Sequence, residues 1–204
     1  MNQKRCLLPV LVLALLLSAC GAREQPDKQP DSPPPAPVEP AEPASRPEEP
    51  AALGPLTVEV VVDGEEAERL LERLEDLSAL LSEGLLERGY APEEVVITIS
   101  TAGGVTADAL CAGGVDAACL PAADYLAAEG QAEAILTTDD GAATAAVTAG
   151  REELDESFCA ALAGALTESG FLEVCYPGRT YLPATEEALQ ALRDRAAEEG
   201  GHGA

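Results

Sequence analysis

Cationic side chains are scarce in this sequence: 12 Lys and Arg stand against 37 Asp and Glu in 204 residues, a formal charge of −25. That balance argues against a nucleic-acid partner, because phosphate backbones are held by clustered cations. Anionic lipid headgroups repel a surface of the same sign. Histidine is nearly missing as well. The single one, His202, sits in a Gly-rich tail, so neither a nucleophile–base–orienter set nor a His-rich metal site can be assembled. No Lys follows Lys28, which removes Schiff-base chemistry and a phosphate-loop Lys from the rest of the chain. Aromatics make up 3% with no Trp, too few for a platform on which bases or sugars stack. No cofactor fingerprint is present, and neither an enzyme nor a bound cofactor or metal is expected.

What is present is a hydrophobic fraction of 47%, enough for a packed core despite the acidity. Lys4 and Arg5 precede the apolar stretch Leu7–Leu17, and Leu17-Ser18-Ala19-Cys20 ends it. That stretch is too short to span a bilayer, which needs about 20 residues. It has the form of a secretory signal followed by small residues at a cleavage site. The Leu-Ser-Ala-Cys order resembles the bacterial lipobox, which implies that Cys20 is lipidated and becomes the first residue of an extracytoplasmic protein anchored to the cell membrane. Removing residues 1–19 takes away two cations and no acid, so the mature chain is more acidic still.

From Gly21 to Pro55 lie 11 of the 16 prolines, mixed with Glu, Asp, Ala and Ser. Such a segment cannot bury a core and favours extended polyproline conformations; its 35 residues reach roughly 100 Å at full extension. It reads as a spacer, with residues 56–199 forming one domain and 200–204 a tail. Leu56–Val62, Glu94–Ser100, Asp116–Leu120 and Ala132–Thr138 have the composition of strands. Between the first two, the apolar spacing of Ala67, Leu70, Leu71, Leu74, Leu77 and Leu81 predicts one helix, with Gly84 and Gly89 marking its end. Short helices are expected from Gly104 to Leu110 and from Pro121 to Glu129. Two longer ones close the chain, one carrying Leu154, Phe158, Leu162 and Leu166, the other capped by Thr185. Residues 142–149 carry no decisive pattern. Alternation of strand and helix over 56–138 predicts an α/β layer fold with a mostly parallel sheet flanked by helices.

Ser100-Thr101-Ala102-Gly103-Gly104 is the most suggestive segment. It lies at the carboxyl end of a predicted strand, where open α/β sheets hold ligands, and it feeds a helix N-terminus whose free N–H groups favour an anion. Ser100, Thr101, Gly103 and Gly104 are therefore candidate ligand-binding residues, the glycines allowing phosphate-like oxygens to approach. A plain capped turn explains the segment equally well. Seven Arg against 30 acids in residues 55–204 would slow an anion's encounter, so an amine-bearing ligand also stays open. Cys111, Cys119, Cys159 and Cys175 lack zinc-ribbon spacing, and free thiols are expected over disulfides.

A family resemblance is carried by Gly113-Gly114-Val115-Asp116-Ala117-Ala118-Cys119-Leu120-Pro121-Ala122-Ala123-Asp124-Tyr125, by Arg151-Glu152-Glu153-Leu154-Asp155, and by Tyr181-Leu182-Pro183-Ala184-Thr185. In this order, after a lipoprotein signal and a spacer, they resemble the phosphate/phosphite/phosphonate substrate-binding proteins of ABC transporters. The resemblance implies one lobe of a type 2 periplasmic-binding fold, an oxyanion-type solute, an ABC permease as partner, and Pro121 and Tyr125 at the ligand. Asp116 is expected to be a structural turn residue. Members of that family have two lobes and about twice this length, whereas residues 136–147 leave little room for a second lobe. Two alternatives follow: a shortened paralogue acting as a surface adaptor or structural lipoprotein without a solute, and a homodimer in which a second copy supplies the missing lobe.

Overall fold

The computed structural model describes residues 49–201, which belong to one compact unit; the expectations for the signal, Cys20 and most of the spacer lie outside the described residues. In chain order the elements begin with β1 (Ala51–Leu53), β2 (Leu56–Val61), α1 (Gly64–Leu71), α2 (Leu74–Leu86), β3 (Tyr90–Pro92) and β4 (Val95–Ser100). They continue with α3 (Gly103–Cys111), β5 (Ala117–Pro121), α4 (Ala122–Ala128), β6 (Ala132–Thr138) and β7 (Ala143–Thr148). The chain closes with α5 (Glu156–Glu168), α6 (Phe171–Cys175), β8 (Tyr181–Pro183) and α7 (Glu186–Gly201).

The main sheet has the order β4-β2-β5-β7-β6-β8, and β1 and β3 form a separate parallel pair. β2 runs parallel to both of its neighbours, β4 and β5, whereas β7 is antiparallel to β5 and β6, and β8 to β6. Four of the six strands thus share one direction, and the α/β fold class read from the sequence stands, with a mixed sheet.

Alternation along the strands divides the core in two. Leu56, Val58, Val60, Ala117, Cys119, Ala145 and Val147 face a layer of α1, α2, α5 and α6, centred on Leu77, Leu81, Phe158, Leu162 and Phe171. Val61, Ala118, Leu120 and Ala146 face α3, α4 and α7 through Leu110, Tyr125, Ala128 and Leu192. On this second face Glu59 of β2 is half-buried; it accepts from Thr98 Oγ1 at 3.0 Å and from Thr106 Oγ1, tying β2 to β4 and α3.

Two local readings need correction, and one open stretch is resolved. The single helix expected over residues 64–81 is two helices, because Arg73 leaves helical geometry (φ −119°, ψ 13°) and its N–H closes on Leu70 C=O. Gly84 does not end α2 but lies inside it, where α5 crosses so closely that a Cβ would meet Ala165 Cβ at 3.2 Å; the stop is Gly89, with φ 84°. The undecided stretch 142–149 holds β7, buried along its whole length. Thr185 caps α7 as expected, accepting from Ala188 N–H at 3.2 Å.

Asp116 joins three segments at the amino-terminal edge of β2 and β5. Its Oδ2 accepts from Thr57 N–H at 2.7 Å, its Oδ1 from Arg151 Nη1 at 2.7 Å, and its C=O from Thr148 N–H at 2.9 Å. Arg151 also donates to Pro55 C=O and Glu153, and its guanidinium is held further toward the charged form by Glu153 and then Asp116. The structural role expected for Asp116 is the one it has, with 6% exposure. Asp116→Ala leaves the Thr57 amide and Arg151 without this acceptor, at about 2 kcal/mol. A thermal melt should show a midpoint lower by roughly 4–8 °C; an unchanged midpoint would contradict this role.

Candidate functional site

β4, β2 and β5 end at the same edge, and the chain leaves them in different directions. From β2 it runs into α1 on one face, and from β4 into α3 on the other, so a crevice opens where strand order reverses. A cavity of about 570 Å³ lies there. Val61 and Leu120 border it from the strand ends, with Asp63 and Glu66 of the β2–α1 turn, Thr101 and Gly103 of the β4–α3 turn, and Pro121 and Asp124 at the start of α4. Ala142 and Ala143 border it from the β6–β7 hairpin, and Tyr176, Pro177 and Arg179 from the loop after α6.

Three of the six ligand-site candidates meet at this cavity: Thr101, Gly103 and Pro121. Ser100 stays behind it, its Oγ accepting from Ala102 N–H at 3.1 Å to shape the turn. Gly104 is also off the lining; a Cβ there would stand 3.8 Å from Asp124 Oδ1. Tyr125 is elsewhere. It is 3% exposed and packs in the core between the sheet and α3, α4 and α7. Burial, with help from Glu129, raises its phenol's pKa, against a hydrogen bond from the Ala134 backbone. The structure does not bring Tyr125 to the cavity, because α4 turns it inward while Asp124, one position earlier, faces the cavity.

The aromatic at the cavity is Tyr176, which the sequence reading did not single out. β2 and β5 are paired from Val58↔Ala117 to Val60↔Cys119. Just where they part, Tyr176 OH donates to Val61 C=O at 2.8 Å and to Cys119 C=O at 3.3 Å. Burial raises its pKa well above the ordinary value, with Cys119 and Tyr181 adding to the effect, so it stays a neutral donor. The signal available was only Tyr176-Pro177-Gly178, a turn sequence; its return to the switch point depends on the short helix α6. Tyr181 packs beside it with ring centroids 6.1 Å apart.

The charges divide unevenly. Asp63 is committed to capping α1, its Oδ1 accepting from Glu65 N–H at 3.1 Å and Glu66 N–H at 3.0 Å. Glu66 is paired with Arg69, whose Nε donates to it at 2.7 Å. Asp124 and Arg179 are left: among the described residues neither has an ion-pair partner within 4 Å, and their side chains make no hydrogen bond. Arg179 is exposed and helps Asp140, already held by Thr138 and the Ala142 N–H, to keep its carboxyl below the ordinary range.

Asp124 explains Gly103. A Cβ on Gly103 would fall 1.9 Å from Asp124 Oδ2 and 2.6 Å from its Cγ. α3 has no side-chain cap of its own, and the Asp124 carboxylate stands beside Gly103 and Gly104 at its start. The sequence expectation at Gly103 is a ligand's phosphate-like oxygen; the structure puts the Asp124 carboxylate of α4 at that position.

All four domain cysteines are free thiols. Burial raises Cys175, at the cavity, to about 12 and Cys159 to about 11, and pushes Cys119 higher. A thiol in the unfolded chain ionises near 9, so the stability linked to these groups is full below that pH and is lost as pH rises toward 12. Thermal melts between pH 8 and 11 should show the midpoint falling only above about pH 9. A midpoint that stays level to pH 11 would contradict the buried neutral thiols.

Among the described residues no group of three His, Cys, Asp or Glu is placed to hold a metal ion, and no helix is long and apolar enough to cross a membrane. No protein-family profile matches the chain, and no curated protein does. Solved structures do. XAC2383 from Xanthomonas citri bound to chloride ion is 11% identical with a TM-score of 0.52, the match covering 70% of this chain and 96% of that one. XAC2383 bound to ATP is 10% identical with a TM-score of 0.51 over the same shares. At this identity the likeness is one of fold: a single α/β domain, matched over nearly all of the other chain.

Proposed function

We propose that this chain is a lipid-anchored extracytoplasmic solute-binding protein, held to the cell membrane through Cys20 by its Pro-rich spacer. It binds a small phosphate- or phosphonate-like oxyanion in the cavity at the carboxyl ends of β2, β4 and β5, for delivery to an ABC permease. The observation that supports this most is the meeting of Thr101, Gly103 and Pro121, nominated from sequence alone, around one cavity with Arg179 on its rim. Arg179 supplies the planar, permanently charged donor that suits phosphoryl oxygens, and Thr101 a hydroxyl. XAC2383, of the same fold, is bound to chloride ion in one structure and to ATP in another, both anions.

Residues 139–142 form a tight turn between β6 and β7. Thr138 Oγ1 donates to Asp140 and accepts from Ala142 and Ala143 N–H. The family resemblance implies a second lobe inserted in this segment, which holds only the hairpin. A one-lobed receptor leaves part of its solute in water, so its affinity is lower than that of a two-lobed clamp.

The test is a thermal-shift titration of the full chain with phosphate, phosphite, phosphonates and amine-bearing solutes. A solute at 100 times its dissociation constant adds about 2.7 kcal/mol, which raises the midpoint by roughly 5–10 °C for a domain of this size. The expected outcome is a selective, saturable shift with an oxyanion that Arg179→Ala abolishes. An unresponsive melt across the panel would overturn solute binding and favour the adaptor.

A further inference from the structure

Asp124 is out of place in an oxyanion receptor. Its carboxylate stands against the first turn of α3, with Oδ2 where a Gly103 Cβ would be and Oδ1 near Gly104. It has no hydrogen-bond or ion-pair partner among the described residues and borders the same cavity as Arg179. Asp63 and Glu66, the other acids on that wall, are each committed elsewhere. Asp124 is therefore the acid that a negatively charged solute meets without compensation.

We infer that Asp124 is a specificity-determining residue of the cavity: it competes as an internal anion with the solute's own negative group for the first turn of α3. This rests on the solute-binding reading and deepens it. With Asp124 in place, an anion is held by Arg179 and Thr101, away from the first turn of α3, and each added negative charge on the solute is repelled across the cavity. With the carboxylate removed, the free N–H groups at the start of α3 and their dipole become available to the solute. Gly103 then keeps the space open that a side chain would fill.

The experiment is calorimetric titration of inorganic phosphate into the full chain and its variants, each checked for an intact thermal transition. Asp124→Ala is expected to bind phosphate about tenfold more tightly than the unsubstituted chain, the worth of a charge-assisted hydrogen bond regained. Asp124→Asn, which keeps the shape and loses the charge, should gain less. Glu68→Ala removes the same charge from an exposed site outside the cavity and should gain nothing. Adding Gly103→Ala to Asp124→Ala places a methyl in the opened position and should cancel the gain. Equal phosphate affinity with and without Asp124, or a gain that survives Gly103→Ala, overturns the role of Asp124 and leaves solute binding standing. No phosphate binding by any form overturns both.

Discussion

Parallel pairing of β2 with both β4 and β5 is the constraint from which the rest follows. A strand that is parallel to both neighbours cannot be joined to either by a hairpin, so the chain must cross over the sheet to reach each of them. Those crossovers put α1 and α2 on one face and α3 on the other, and they put the outgoing turns of all three strands on one edge. The two crossovers leave on opposite faces, and the gap between them becomes the cavity. Asp63, Thr101, Gly103, Pro121 and Asp124 are neighbours there although they are spread over some sixty positions of sequence.

Two side chains hold the ends of that arrangement. At the amino-terminal edge Asp116 takes the Thr57 amide and the Arg151 guanidinium, joining β2, β5 and the segment after β7. At the carboxyl edge the Tyr176 hydroxyl takes the Val61 and Cys119 carbonyls, where the strands have parted and no ladder partner remains. Beyond β5 the sheet changes character: β7, β6 and β8 each pair antiparallel with their neighbours, and a tight hairpin joins β6 to β7.

The strands that build the cavity were legible in the sequence because LTVEVVV and EVVITIS are dense in β-branched residues and lie between turn signals. β7 was not, since ATAAVT is made of small residues whose burial is decided by neighbours rather than by propensity. The break at Arg73 left no trace in an apolar spacing that continues on either side of it. Gly84 reads in the sequence as a helix end and Gly103 as an approach point for a ligand's oxygens, but a glycine does not say what lies against it; one meets α5 and the other Asp124. Tyr125 and Tyr176 were separable only by knowing which way α4 and α6 turn. Asp124 carries no local signature among 30 acids, and its role comes from the pairing of two turns that are far apart in the chain.

Where an oxyanion sits is the most direct test of this account. Amide and side-chain NMR shifts of the full chain should be followed through a titration with inorganic phosphate. The account predicts that the perturbed signals cluster at Thr101, Ala142 and Arg179 and saturate together. Saturating shifts confined to another surface, or none at all, would contradict a binding site at the carboxyl ends of the parallel strands.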